Sequence, residues 1–479
     1  MSSQTSGLTK SIQKPLTSLI FTAAYLLTSN SHASFEKAME TYSAGHFEKA
    51  KVAFETMASI GDSSSLFNLG VMHYRGEAVK QDSVKAYVLM KIANESVNVE
   101  SFSKTAQAVY SSLDNTQKSY AKDLYSEIIE IYGHKNIEAN IFPSLLDDKD
   151  CPPDLKPISR GVAVYPKSEL VNGKLGLVHT ELTVSPEGYP REVNITSSTS
   201  KAFSKATLKA FEAYIYPPSL NGKPKIERTV TIYKIDIQKG DTFRTKAVSE
   251  KLNTLKEKSE GGDAVAQFLY GRDLNTYRYF DDYLVDEKFQ YKEANKWYAK
   301  SASSGIVNAQ FEIGRNMLEG RGCKVDTENG FKWIKASAVG GYSPAQKYLA
   351  TSELAGESIT GNSSKSIISW LRNAVQDEQR NYSSKLLLAW ELVSSPEKSL
   401  LNPDEALELI KNKPLEFSDK IRILETKAAA FAQKNNFKKA VKFQTKAANL
   451  AQKKKWTIPK IMERLNLYEQ NQTYIGRYY

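Results

Sequence analysis

The residue types that most often carry out catalysis are present in this chain but are not arranged as a site. None of the five histidines has a Cys, Asp or Glu partner at a repeated ligand spacing. They are His32, His46, His73, His134 and His179. A Gly-x-Ser-x-Gly nucleophile motif does not occur, and Gly320-Arg321-Gly322 lacks the third spaced glycine of a dinucleotide-binding loop. The sequence therefore predicts a protein that is not an enzyme, with no cofactor and no metal site.

Two further groups of residues suggest chemistry without specifying it. Adjacent carboxylates such as Asp147-Asp148 and Asp281-Asp282 are more typical of solvated surfaces than of acid–base pairs. Cys151 and Cys323 are far apart in sequence and suit either one disulfide or two free thiols in an oxidising compartment. The sequence leaves both of these possibilities for the cysteines open.

The charge of the chain is mildly basic and evenly spread. It has 65 Lys and Arg against 54 Asp and Glu, a formal charge of +11, which falls to +9 without residues 1–33. Lys453-Lys454-Lys455 is the only run of three basic residues. Nucleic-acid binding requires basic residues clustered with aromatics on one surface, so it is not predicted. No small-molecule substrate is evident either.

The N-terminus has the pattern of a secretory signal. Lys10 and Lys14 precede an apolar stretch at residues 16–27, and Ser31-His32-Ala33 provides small residues where a signal peptidase acts. We expect a signal peptide at 1–33 that is cleaved between Ala33 and Ser34. The alternative is that residues 16–27 are retained as a membrane anchor, although a span takes roughly 20 apolar residues.

A repeat of 36 to 37 residues organises the second half of the chain. Trp297 recurs as Trp333 and Trp370, and four small or polar positions recur at the same spacing. Within one unit, Gly320 and Gly322 predict a turn between two helices, and Asp326 predicts the cap of the second helix. Such hairpins bury their apolar stripes by stacking, which predicts a helical solenoid.

The same residues resemble the Sel-one-like repeat of the tetratricopeptide superfamily. The resemblance extends over residues 259–376, and a similar pattern of helical repeats is predicted at 34–135. Looser tetratricopeptide-like helices follow at 377–479. Trp297 and Trp333 occupy structural positions of the repeat, where we expect them in the core rather than on a ligand.

The helical period stops between the repeat blocks. Residues 175–184 and 229–237 alternate between two faces with a period of two, which is typical of strands. A second strand is predicted to begin at 192–196, after a turn, and a helix at 200–214. The order strand, strand, helix, strand indicates a compact α+β module inserted in the solenoid, with a small antiparallel sheet.

This module resembles the C-terminal domain of the TonB family over residues 160–238, between linkers at 136–159 and 239–258. The resemblance rests on the motif residues Tyr165, Pro166, Gly176, Gly188, Pro217 and Pro218. It implies a periplasmic domain that captures an extended segment at its last strand. The implied strand-binding residues are Thr229, Val230, Thr231, Ile232, Tyr233, Lys234 and Ile235. The other possibility is that flanking helices cover this strand.

The architecture departs from that of the family's energy transducers. No long proline-rich spacer precedes the module, and about 240 residues follow it. We therefore expect a periplasmic adaptor or scaffold that binds protein partners. One alternative is a TonB-type transducer at the inner membrane, with an outer-membrane receptor or an ExbB/ExbD-type complex as partner. Another is a regulator of an envelope enzyme. The sequence does not identify the partner or the oligomeric state.

Overall fold

The computed structural model describes residues 33–153, 155–171, 175–233, 242–279, 290–354, 363–376, 382–413 and 417–479. The signal or anchor segment before Ala33 lies outside them. The described chain is mainly helical and carries one small antiparallel sheet, which confirms the predicted fold class. Within this part of the chain, no helix has the length and apolarity needed to cross a membrane.

Seven helices of the described chain precede the inserted module. They are α1 (Ala33–Ser43), α2 (Phe47–Ala58), α3 (Ser63–Arg75), α4 (Ser83–Val97), α5 (Glu100–Ser111), α6 (Asn115–Tyr132) and α7 (His134–Ile141).

The inserted module then has the predicted order of strands and helix. A short helix α8 (Lys167–Val171) leads to β1 (Gly176–Val184), β2 (Pro190–Ser198), α9 (Lys201–Ala210) and β3 (Lys225–Tyr233). A 3-10 turn at Phe211–Ala213 extends α9. Strand β3 begins four residues earlier than the alternation predicts.

The chain after the module is helical again, apart from one two-residue strand. Its elements are α10 (Thr242–Glu260), α11 (Ala264–Tyr277), α12 (Tyr291–Ser303), α13 (Val307–Glu319), α14 (Thr327–Val339), α15 (Ser343–Leu354), α16 (Ser364–Ala374), α17 (Tyr382–Ser394), α18 (Pro403–Leu409), β4 (Phe417–Ser418), α19 (Lys420–Gln433), α20 (Phe437–Lys453) and α21 (Pro459–Glu469).

The chain divides into two compact units, each built from two separate stretches of sequence. The first unit contains residues 1–152 and 241–345, and the second contains residues 153–240 and 346–479. The inserted module and the C-terminal helices thus belong to the same unit.

In the first unit, small residues allow paired helices to approach closely. A Cβ atom on Gly314 of α13 would lie 2.7 Å from the Gly330 carbonyl oxygen and 2.7 Å from Ile334 on α14. The hairpin turn uses a left-handed glycine, Gly320, and the Asp326 carboxylate caps α14 by accepting from the Asn329 N–H. These contacts give the repeat its helix–turn–helix geometry.

The sheet of the second unit has the order β3-β1-β2-β4. Strand β1 pairs antiparallel with β3 from Gly176↔Tyr233 to Val184↔Lys225, in a continuous register. Its other side pairs antiparallel with β2, and two register shifts interrupt that ladder. Strand β1 is therefore the central strand of the module, and nearly all of its side chains are buried.

One face of the sheet is covered by α9. Phe203 of α9 is fully buried against Tyr233 and Val178, and Tyr165 packs edge-on against both the Phe203 and Tyr233 rings. A Cβ atom on Gly176 would lie 2.8 Å from the Phe203 ring. A glycine at the start of β1 therefore lets this ring pack directly on the strand.

Candidate strand-binding edge

Strand β3 is the terminal strand at one end of the sheet. It pairs with β1 on one side, and no other described strand pairs with its second side. The five consecutive side chains at 228–232 are all half-buried, whereas the central strand β1 is buried almost throughout. This burial pattern is typical of an edge strand, which presents unpaired backbone groups for pairing with another chain.

The direction of the β1 backbone identifies which groups of β3 face outward. The Leu177 carbonyl accepts from the Thr199 N–H at 3.1 Å, and the Leu177 N–H donates to the Thr199 hydroxyl at 3.1 Å, so Leu177 faces β2. Its partner across the β1–β3 ladder, Ile232, is consequently not hydrogen-bonded to it. The backbone N–H and C=O groups of Ile232 therefore point away from β1, towards the free edge.

The same alternation applies along the whole continuous ladder. The residues whose backbone groups face the free edge are Ile226, Arg228, Val230 and Ile232. The backbone groups of the intervening residues, such as Thr229 and Thr231, face β1. The outward N–H and C=O groups of Ile226, Val230 and Ile232 thus form a template for an extended peptide.

The opposite end of the sheet is closed by the chain itself. Strand β4 pairs antiparallel with β2, with Val193 opposite Ser418 and Asn194 opposite Phe417. Helix α19 begins two residues later, at Lys420. The protein therefore covers the β2 edge with its own backbone, in the way an added strand would.

A β-bulge in β2 directs two successive charged residues to the same neighbours. The register against β1 shifts between Glu181 and Thr183, and Glu192 has a positive φ of 52°. Both Arg191 and Glu192 are buried, at 1% and 5% exposure. A regular strand would point consecutive side chains to opposite faces, so the bulge is what allows both to contact the C-terminal helices.

Buried ion pairs connect β2 to the C-terminal helices. The Arg191 guanidinium donates two hydrogen bonds to the Asp419 carboxylate, at 2.9 and 3.2 Å. Asp419 also accepts from the backbone N–H groups of Glu192 and Arg422, and Arg422 pairs with the Glu192 carboxylate. The same aspartate thus caps α19 and binds β2, the strand that pairs with β4.

Tyr478 lies at the centre of this cluster. Its hydroxyl donates to Glu425 at 2.5 Å and accepts from Arg191, and its ring lies 4.0 Å from the Arg422 guanidinium carbon. Burial alone would raise the pKa of Glu425. The guanidinium of Arg464, 2.8 Å away, acts together with Arg191 and the Tyr478 hydroxyl to lower this pKa. Their combined effect exceeds that of burial, so the pKa of Glu425 is lowered overall and its carboxylate stays charged.

A helix covers the second face of the sheet. Lys347 of α15 pairs with Glu181 of β1. Nearby, a cavity of about 130 Å³ is lined by the strand residues Thr183 and Ile226 together with Thr351 and Leu354 of α15. Helices therefore pack against both faces of the sheet. Its two terminal strands in the described chain are the nine-residue β3 and the two-residue β4.

The structure places the residues that the sequence assigned to strand capture along this edge. Residues 229–233 lie on β3, and Lys234 and Ile235 lie outside the described residues. Only Val230 and Ile232 of the described set direct their backbone groups outward. The cleavage-site residues are at the start of α1, where the buried Ser34 hydroxyl donates to the Gly305 carbonyl at 3.1 Å.

The motif residues of the module lie at turns and close contacts. Gly188 has a φ of +89°, and its carbonyl accepts from the Tyr216 N–H at 2.8 Å. Pro166 precedes α8, and its carbonyl accepts from the Glu169 and Leu170 N–H groups. Pro217 and Pro218 are exposed after the buried Tyr216 ring. These residues shape the module and do not form a pocket.

The two tryptophans lie within the first unit. Trp333 is fully buried, and its indole N–H donates to the Ile141 carbonyl at 3.1 Å. Trp297 is half-buried and packs edge-on against Tyr270.

Sequence reasoning missed strand β4 and the ion cluster. Arg191 and Asp419 are 228 residues apart, and no local pattern connects them. In the part of the chain that the structure describes, no three His, Cys, Asp or Glu side chains group as metal ligands.

Comparison with known proteins identifies two families. Residues 162–235 match the profile described as Gram-negative bacterial TonB protein C-terminal. Residues 63–96, 264–306 and 307–341 each match the Sel1 repeat. No curated protein matches the chain.

Two solved structures are similar to parts of the chain. The crystal structure of a Sel1 repeat protein from Oxalobacter formigenes is 27% identical, and the match covers 29% of this chain and 96% of that one, with a TM-score of 0.24. A protective antigen present in uropathogenic Escherichia coli strains, which displays an SLR fold, is 15% identical. That match covers 89% of this chain and 68% of the antigen, with a TM-score of 0.32.

Both matched families are families of scaffolds and protein-interaction domains rather than of catalysts. The sheet module and the helical repeats described above coincide with the two kinds of match. The chain is thus similar to the Sel1 repeat over three segments and to the TonB C-terminal domain over residues 162–235.

Proposed function

We propose that this protein is a periplasmic adaptor that captures an extended segment of a protein partner on the free edge of β3. The observation that supports this most directly is the order of the sheet. Beyond β2 the sheet ends in the chain's own two-residue β4, whereas the nine-residue β3 is itself a terminal strand and pairs only with β1 among the described strands. The TonB-type match over the same module agrees with a role in the cell envelope.

The edge defines what kind of segment binds. Ile226, Val230 and Ile232 direct main-chain donors and acceptors outward, so the partner segment must be extended over about five residues or more. The side chains of this edge are half-buried and mostly apolar or β-branched. A segment with β-branched or apolar residues at alternate positions therefore pairs best with it.

The Sel1 repeats contribute a second interaction surface in this proposal. Stacked helical hairpins form extended surfaces that bind proteins in other repeat families. A folded domain of the partner contacts the repeats, and its extended segment is captured by the edge strand. Two linked contacts of moderate strength give a higher overall affinity than either contact alone.

The proposal is tested with proline at an outward position of the edge. In Val230→Pro the strand loses one N–H that faces outward, so the β1–β3 ladder keeps all its bonds, and partner binding is expected to fall at least tenfold. Val230→Thr is the matched control, because it keeps the N–H and a β-branched side chain. Partners are trapped in cells by a photoreactive residue at position 228, and circular dichroism verifies that both variants stay folded.

Two outcomes of this experiment decide the proposal. Loss of the crosslinked partner in Val230→Pro but not in Val230→Thr supports capture by main-chain pairing. Equal crosslinking by both variants contradicts it, because side-chain contacts or another surface would then hold the partner.

Cell fractionation decides between the adaptor and the anchored transducer. An adaptor released by signal cleavage has Ser34 as its first residue and is recovered with the contents of the periplasm. A transducer keeps residues 16–27, stays with the inner membrane and crosslinks to an ExbB/ExbD-type complex. Recovery in that second form overturns the adaptor proposal.

A further inference from the structure

The segment that precedes the sheet module is bound to a turn of the Sel1 repeats. Leu145 forms a β-bridge with Cys323, and the Leu146 N–H donates to the Gly322 carbonyl at 3.0 Å. The Lys324 N–H donates to the Ser144 carbonyl at 2.8 Å. These two hydrogen bonds, which make up the bridge, hold residues 144–146 beside the turn that contains one of the two cysteines.

The far end of this segment places the second cysteine against the same turn. The Cys151 sulfur accepts a hydrogen bond from the Gly322 N–H at 3.2 Å, so it lies against the residue directly before Cys323. A Cβ atom on Gly320 would lie 2.8 Å from the Pro152 ring, which shows how closely the chain passes the turn. Two cysteines that are 172 positions apart in sequence are thus brought to one place in the first unit.

Ionic contacts fix the segment between these two anchor points. The Asp148 carboxylate accepts from the Tyr291 N–H at 2.9 Å and pairs with Arg278 at 3.6 Å, and Asp147 pairs with Lys292. These contacts come from α12 and from the end of α11. The approach of Cys151 to the turn is therefore defined on both sides of the cysteine.

The environments of the two thiols differ. Cys323 is fully buried, and burial, with Cys151 and Asp326 nearby, raises the pKa of its thiol to about 12. Its sulfur donates to the Asn316 carbonyl at 3.5 Å. Cys151 is half-exposed. A reagent in solution reaches the Cys151 thiol first. The buried Cys323 thiol is shielded from such reagents and lies close to Cys151.

We propose that Cys151 and Cys323 form a structural disulfide when the protein meets an oxidising partner. The oxidant is a donor disulfide, either a thiol–disulfide oxidoreductase or glutathione disulfide. The Cys151 thiolate attacks a donor sulfur and forms a mixed disulfide, which releases one donor thiol. Cys323 attacks the Cys151 sulfur, and its proton goes to the departing donor thiolate, which leaves as the second donor thiol. Two electrons pass to the donor, and the two cysteines are oxidised.

The disulfide closes a very long loop of chain. The residues between the two cysteines include all three long strands of the TonB-type module. Cross-linking so long a loop restricts the unfolded chain strongly, so the bond stabilises the folded protein. It also fastens the segment that enters the module to the Sel1 repeats. The supply of oxidant in the cell rests on the periplasmic location proposed above, whereas the pairing itself does not.

The pairing is tested on the purified full chain in a glutathione redox buffer. Peptide mapping without reductant is expected to show one cross-linked peptide that joins Cys151 to Cys323, with the loss of both free thiols. The midpoint of thermal unfolding is expected to rise by roughly 5–10 °C over the reduced protein. Cys151→Ser and Cys323→Ser are the matched controls, and neither should show a shift between the two buffers.

Other products overturn the proposal. These are two thiols that stay free, a lasting glutathione adduct on Cys151 alone, or a dimer joined through Cys151. A second arm traps thiols in cells that express the chain. If the pair oxidises in the redox buffer but is reduced in the cells, the pairing stands and the periplasmic location is overturned.

Discussion

The two ends of the sheet are treated differently by the same chain. At the β2 end, Asp419 links Arg191 to the start of α19, and β4 pairs with Val193 and Asn194. At the β3 end, the described chain adds no strand, and Ile226, Arg228, Val230 and Ile232 keep outward backbone groups. Exposed edges are an aggregation hazard that proteins usually cover.

This difference extends to the contacts that stabilise each end of the sheet. The β2 edge is held by buried ions from β2, α19 and α21, which cost desolvation and are stable only when every partner is present. The β3 edge, in contrast, pairs only with β1 among the described strands. The proposal that β3 captures a partner segment rests on this difference.

The largest expected effect comes from breaking the closed edge. Asp419→Ala removes the partner of Arg191 and the cap of α19, and it leaves a buried guanidinium uncompensated. We expect the free energy of unfolding of the second unit to fall by about 3–5 kcal/mol. Urea denaturation followed by circular dichroism measures it. Asp404→Ala is the control, because Asp404 is 75% exposed where it pairs with Lys434. If both substitutions lower the free energy of unfolding equally, the buried Arg191–Asp419 pair contributes no more to stability than the exposed pair.

The next effect is a dependence on pH near the C-terminal segment. Burial raises the pKa of Glu391 to about 7, against the opposing charge of Arg477 at 3.6 Å. A raised carboxyl pKa means that stability is full below about pH 4.5 and is lost as the pH rises through 7. The loss is at most about 3 kcal/mol.

The measurement compares urea unfolding at pH 5 and pH 8 in the wild type and in Glu391→Gln. The variant should lose most of this pH dependence, because its side chain stays neutral. Glu391 and Glu397 both line another cavity of the second unit, so Glu397→Gln serves as the control and should retain the dependence. If the free energy of unfolding changes by the same amount between pH 5 and pH 8 in all three proteins, Glu391 is not the source of the pH dependence.

A smaller effect is expected from the centre of the ion cluster. Tyr478→Phe keeps the ring that packs on Arg422 but removes the hydroxyl shared by Glu425 and Arg191. The expected loss is about 1–3 kcal/mol in the free energy of unfolding, because two buried charged groups each lose a hydrogen-bond partner. Tyr120→Phe, at a 55% exposed ring, should change nothing. A neutral Tyr478→Phe would mean that water replaces the hydroxyl.

The smallest effect on stability is expected at the open edge. Val230→Pro should lower the free energy of unfolding by less than about 1 kcal/mol, because proline is tolerated where an N–H faces outward on an edge strand. Thr231→Pro should cost about 3 kcal/mol or more, since its N–H faces β1. Thermal or urea unfolding of these two variants checks the assigned direction of the β3 backbone. If both lose the same free energy of unfolding, that direction is wrong.

The sequence predicts the elements of the fold better than their connections. Alternation at 175–184 and the glycines of the 36-residue repeat are local signals, and the structure has β1 and the α13–α14 hairpin where they indicate. Strand β4 has only two residues and no alternation to detect. The bulge at Glu192 is invisible because it depends on contacts with Asp419 and Arg422, more than 200 residues away.

The candidate site was predictable only in part for the same reason. The last strand of the module is recognisable from its alternation, so residues 229–233 could be named. Which of them face outward depends on the register against β1, and that register is a property of the folded sheet. The contrast between an open and a closed edge depends on the C-terminal helices, which carry no sequence signal for contacting β2.

The most direct test of the open edge is amide hydrogen exchange along β3 in the free protein, resolved residue by residue. The account predicts an alternating pattern. The amides of Val230 and Ile232 exchange rapidly, whereas those of Glu227, Thr229 and Thr231 are protected by β1. Uniform protection of all five amides would show that the edge is already covered and would contradict the proposed capture of a partner strand.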